Sequence, residues 1–167
     1  MHLYLVQHAE ARQKETDAER HLSEKGRKTA KRMASYLASN IDITLFRILH
    51  SPKVRAAETA RIFYERLKPA GGIEEAKELS PTSTPWGWVE RLVQLEEDIM
   101  IVGHLPHLQR LSSILLCQDE HKKIIEFEKG CVIYLERDES SIWAIRWMLT
   151  PSILPVEDRP VPPAVEG

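Results

Sequence analysis

A chain of 167 residues with 43% hydrophobic content has the size and apolar mass of one ordinary domain. Its net charge of −2 and pI near 6.4 offer no global basic field for nucleic acid, and 29% charged residues predict a soluble protein. No apolar run approaches the roughly 20 residues of a membrane helix. The expectation is a cytoplasmic protein with no leader segment and no membrane partner.

In chain order, HLYLV (2–6) is a short β-prone run that stops at Gln7–His8. Residues 10–22 are polar and read as a loop. Ser23 is an N-cap candidate, and Ala30, Met33, Ala34, Leu37 and Ala38 then fall on one face of an amphipathic helix that stops near Asn40. TLFRILH (44–50) is a second strand. Ser51–Pro52 reads as a helix opening, a capping serine followed by proline at the first helical position. Ala56, Ala60, Phe63 and Leu67 line one side of that helix, and Pro69 with Gly71–Gly72 ends it. Residues 73–85 read as irregular, and 86–96 as a helix.

IMIV (99–102) is apolar throughout, the pattern of a parallel strand buried on both faces, and it ends at Gly103–His104. A helix through Leu108, Leu111, Leu115 and Leu116 follows. CVIYLE (131–136) and IWAIRW (142–147) read as a hairpin. Residues 151–167 hold five of the ten prolines and read as an extended tail beyond a single domain of residues 1–150. Cys117 and Cys131 form no CxxC pair and read as reduced, buried thiols.

Strands alternating with helices predict an α/β fold with a mostly parallel sheet. Ligands of such sheets bind at the carboxyl ends of the strands. Here those ends carry His8, the pair His50–Ser51 with Arg55 one turn later, and His104. A neutral imidazole is a competent nucleophile toward phosphorus. The oxygens of a transferred phosphoryl group need cationic and N–H donors. The planar fork of Arg55 suits two such oxygens, and His104 adds a third donor. This chemistry makes His8 the nucleophile and Arg55 with His104 the anion pocket. A metal hydrolase built on His8, His104 and His107 is the competing reading. It lacks an HExxH motif and an obvious carboxylate ligand. Arg27, Lys28, Lys31 and Arg32 form a basic run that reads as a solvated helix face. Trp86 and Trp88 read as packing residues.

The stretches LYLVQHAEA (3–11), RHLSEKGRKTAKRMASYL (20–37), ILHSPKVRAAETARIF (48–63), KELSP (77–81) and IVGHLPHLQRL (101–111) resemble, in register, the histidine phosphatase superfamily with its phosphoglycerate-mutase-like fold. The short length is similar to the SixA-type phosphohistidine phosphatases. The resemblance implies a three-layer α/β/α sandwich. It implies a phosphatase that acts on phosphohistidine in a protein through a phospho-His8 intermediate, without metal or other cofactor. Small phosphate monoesters are the alternative substrates, and a phosphoryl-binding module of low or no turnover is the alternative role. His8, Arg55 and His104 would be catalytic, and Arg55, His104, Gln7 and Arg20 would surround the phosphate. Glu78, and less so Glu10, are the candidates for a general acid. A phosphoramidate has less need of one, because its leaving nitrogen can already be protonated. The family normally has arginine before the nucleophile, where this chain has Gln7. Loss of one charge-assisted bond there costs about 1.5–3 kcal/mol, roughly one to two powers of ten in rate or affinity.

Overall fold

The computed structural model describes residues 1–155, and the final twelve residues of the proline-rich stretch lie outside it. Period-two alternation builds the sheet. In β1 (His2–Gln7) Leu3 and Leu5 face one side of the sheet while Tyr4 and Val6 face the other. The same division runs through β4 (Ile99–Gly103), where Ile99 and Ile101 oppose Met100 and Val102. Both faces are therefore apolar, and both need a layer of helices.

Helices α1 (Glu24–Asn40) and α2 (Val54–Leu67) cover the Tyr4–Val6 side with Ala30, Met33, Ala34, Leu37, Ala56, Ala60 and Phe63. Helices α3 (Trp86–Gln94) and α4 (His107–Cys117) cover the other with Trp88, Leu92, Leu108 and Leu111. Each fully buried Leu, Ile, Val or Phe side chain stabilises this sandwich by about 1.5–3 kcal/mol. The expected α/β fold with a mostly parallel central sheet is the one observed.

Among the described residues six strands lie in the order β3-β2-β4-β1-β5-β6. The added members are β2 (Arg47–His50), β3 (Ile73–Glu75), β5 (Val132–Arg137) and β6 (Trp143–Leu149). The pairs β3–β2, β2–β4 and β4–β1 are parallel, and β1–β5 and β5–β6 are antiparallel. The register matches Gln7 with Gly103 and His50 with Val102. Three strand ends thus stop level with one another in the centre of the sheet.

Two local expectations are corrected. Residues 73–75 form an edge strand rather than an irregular segment, because three residues are too few to show a period and the pairing with β2 supplies the structure. Helix α2 begins at Val54, not at Pro52. Ser51 stays with the sheet instead, its amide donating to the Val102 carbonyl at 3.1 Å. At the other end of the described chain, Leu154 is buried in the core beside α1, and Arg32 donates to the Pro155 carbonyl at 3.0 Å.

The start of α1 is fixed by a close approach. The Ser23 hydroxyl caps the helix by accepting from the Gly26 amide at 3.0 Å. A Cβ on Gly26 would sit 2.0 Å from the Glu10 carbonyl oxygen. Helix propensity alone favours Gly26→Ala by about 1 kcal/mol, but overpacking reverses the sign. The expected result in thermal unfolding is a loss of about 1–3 kcal/mol. An unchanged or raised Tm would show that the loop after β1 yields freely.

Candidate active site

The site is made by backbone register before any side chain is considered. The His8 amide donates to the Gly103 carbonyl at 3.1 Å, so β1 and β4 remain paired up to the residue before His104. The two imidazoles leave adjacent strand ends and lie with ring centroids 4.9 Å apart. Arg55, the second residue of α2, comes in from the helix above, and its Nε donates to His8 Nε2 at 3.2 Å. His8, Arg55 and His104, distant in sequence, are brought together.

Hydrogen bonds orient each ring. His8 Nδ1 lies 2.7 Å from the Ala9 carbonyl oxygen, an acceptor, so Nδ1 carries the proton and Nε2 keeps its lone pair. That lone pair faces the Arg55 guanidinium. His104 Nε2 meets the Ser51 hydroxyl at 2.8 Å, while its Nδ1 has no partner among the described residues. The Thr59 hydroxyl donates to the Arg55 carbonyl at 2.8 Å and accepts from the Ala9 amide at 3.1 Å. It ties the turn after His8 to the helix that carries Arg55.

Burial and positive charge hold both rings neutral. His8 is 8% exposed and His104 2%. Desolvation pushes His8 down to about 4, with the Ala9 carbonyl opposing and Arg55, Lys129 and Arg20 adding to the fall. His104 is pushed down to about 3, again chiefly by burial, with His8, Arg55 and Lys53 contributing. Arg55 is itself lowered by burial and by the charge of Arg20. A dianion would reverse these cationic contributions and favour proton uptake at His104. The arrangement offers one neutral nitrogen nucleophile and donors on two sides of it.

The other sequence candidates are placed differently. The Gln7 side chain is buried, and its Oε1 has no partner among the described residues. Arg20 has a left-handed backbone at φ 60. The Asp17 carboxylate braces the turn by accepting from the Glu19, Arg20 and His21 amides at 3.0–3.1 Å. The Arg20 side chain lines a groove with Lys14, Lys53 and Arg55. Glu10 is engaged elsewhere: its carboxylate accepts from Ser23 at 2.8 Å and pairs with Lys25 at 3.3 Å, which keeps it below the usual carboxylate range. Glu78 is exposed in a 3-10 turn after β3. His107 is buried at the start of α4, and burial lowers it to about 4. Among the described residues no three His, Cys, Asp or Glu side chains are grouped to hold a metal ion. In the basic run, Arg27 pairs with Glu58 at 2.5 Å and Lys28 with Glu24 at 3.0 Å.

Two residues of the site escaped the sequence. Ser51 reads as a helix cap, yet it stands at the same sheet edge as His8 and His104. Thr59 follows Arg55 by four residues, the spacing of one helix face, and that was its only signal.

Residues 3–81, a little under half of the chain, match the family model of the histidine phosphatase superfamily, branch 1. No curated protein matches the chain in sequence. Solved structures match its fold over most of its length. The protein histidine phosphatase SixA complexed with tungstate has 22% identity and a TM-score of 0.78, covering 91% of this chain and 98% of its own. The alpha-ribazole phosphatase from Shigella flexneri has 17% identity and a TM-score of 0.73, covering 90% and 97%. A mycobacterial glucosyl-3-phosphoglycerate phosphatase has 18% identity and a TM-score of 0.65, covering 87% and 97%.

The buried histidines make stability depend on pH. Unfolded histidines titrate near 6.5, while His8, His104 and His107 in the folded chain titrate at about 4, 3 and 4. Below pH 6.5 the unfolded state binds more protons, so stability is complete above that value and falls toward pH 4. Each histidine contributes a slope of about 1.4 kcal/mol per pH unit in this window. Urea unfolding between pH 7 and 4.5 is expected to show the fall, with a shallower slope in His107→Leu. Parallel profiles for the two proteins would show that His107 carries none of it.

Proposed function

We propose that the chain is a phosphatase of the histidine phosphatase superfamily, whose model matches residues 3–81, and that it removes phosphoryl groups from phosphohistidine in a protein, without metal, through a phospho-His8 intermediate. The observation that carries this reading is the neutral His8, its Nε2 lone pair facing Arg55 at 3.2 Å and its ring beside His104. In the first step Arg55 turns from His8 Nε2 onto the phosphoryl oxygens. The Nε2 lone pair attacks phosphorus, and the P–N bond to the substrate breaks. Its electron pair leaves on the substrate imidazole, whose nitrogen takes its proton from water. In the second step water attacks the phosphorus of phospho-His8, inorganic phosphate departs, and His8 recovers its lone pair. Arg55 and a protonated His104 hold the oxygens in both steps.

The choice of a phosphoramidate over a phosphate ester rests on the carboxylates. An alkoxide leaving group needs a proton from an acid, and neither candidate is buried beside the histidines as such an acid would be. Glu10 is engaged by Ser23 and Lys25, and Glu78 is exposed in the 3-10 turn after β3. A nitrogen leaving group tolerates that arrangement. A cytoplasmic setting fits the two free thiols, and no helix of the described residues is long and apolar enough to cross a membrane.

The test is phosphate release from a phosphohistidine-bearing protein in the presence of a metal chelator. Turnover is expected in the native chain and lost in His8→Ala. Gln7→Arg is expected to raise kcat/KM, by no more than the one to two powers of ten, roughly, that a full charge-assisted bond is worth. Turnover that survives His8→Ala would overturn the mechanism, and faster turnover of simple phosphate esters would overturn the substrate class.

A further inference from the structure

Position 7 lacks the charge that the resemblance leads one to expect, yet the strand end is not short of cations. Residues 128–131 form a turn seated directly on it. The Gly130 amide donates to the Gln7 carbonyl at 3.0 Å, and the Cys131 amide closes the turn on the Glu128 carbonyl at 3.0 Å. Gly130 has a φ of 85, and a Cβ there would lie 3.9 Å from the Ala9 Cβ, so the turn packs against the residues on both sides of His8.

Lys129 is the exposed tip of this turn. Among the described residues it pairs with no carboxylate, as is also true of Lys14 and Lys53 beside the site. Glu10, the carboxylate that feels its charge, is already taken by Ser23 and Lys25. Its field also reaches the His8 ring. The turn that carries it is bonded to the residue before His8, which sets Lys129 beside the strand end.

We propose that Lys129 is an anion-binding residue of this site and supplies the positive charge that position 7 lacks. The charge arrives from the turn before β5 rather than from β1. A flexible ammonium at that position reaches a phosphoryl oxygen as a point charge, without the geometry of a guanidinium fork. Gln7 then adds only an amide dipole. This inference rests on the reading of the site as a phosphoryl pocket, and the experiment separates the two.

Binding of inorganic phosphate at low ionic strength is measured by calorimetry, which needs no substrate. In the native background Lys129→Gln is expected to weaken binding roughly tenfold. Lys129→Arg should keep it, and Lys122→Gln, the same charge change on an exposed lysine elsewhere, should leave it alone. With Gln7→Arg also present, Lys129→Gln should cost less than about threefold, because the two charges do one job. Equal losses in both backgrounds would overturn the compensation. A loss with Arg55→Gln and none with Lys129→Gln would overturn the role of Lys129 while leaving the pocket intact. Phosphate binding indifferent to both would mean that the pocket itself is misread.

Discussion

The pairing of β1 with β4 is the constraint on which the rest of the molecule depends. Their register sets Gln7 against Gly103, and one further backbone bond joins His8 to Gly103. The next residue of each strand is a histidine. No flexible segment intervenes, so the distance between the imidazoles is set by strand spacing rather than by a loop. The cost of holding two rings together was met when the sheet formed. Ser51 completes the row from β2, the strand on the far side of β4.

The electrostatics follow from that position. A strand end beneath the first turn of a helix is largely dry, and dry imidazoles stay neutral. Neutrality gives His8 a free lone pair and prevents repulsion between His8 and His104. The cations around them act in the same direction. Arg55, Arg20, Lys53 and Lys129 all lower one of these histidines or each other. An assembly that disfavours its own positive charge is one that favours an anion. The carboxylates nearby serve the frame instead. Glu10 is bound to Ser23, Glu58 accepts from the Leu22 amide at 2.7 Å, and Asp17 braces the turn that presents Arg20.

Much of this was legible in the linear chain. Alternating or continuous apolar runs at 2–6 and 99–102 mark the two central strands, because burial on both faces leaves a pattern in composition. The strand-end rule then singles out His8, Arg55 and His104 as neighbours, since parallel strands of one sheet end on one edge. Gly26 was part of a matching stretch, but its reason was not visible: the contact with the Glu10 carbonyl spans sixteen positions of sequence.

What the sequence by itself determined is therefore the fold class, the central strands and the three groups at their ends, because these follow from local periodicity and from the chirality of βαβ connections. Only the tertiary structure decided which hydrogen bonds orient those groups. Ser51 became a partner of His104 rather than a helix cap, and Thr59 became the tie between Ala9 and Arg55. The turn carrying Lys129 reached Gln7 from more than a hundred residues downstream. Periodicity reports which face of an element is buried. It does not report which polar atoms meet across elements, because such pairs are selected by register and packing and leave no repeat in the chain.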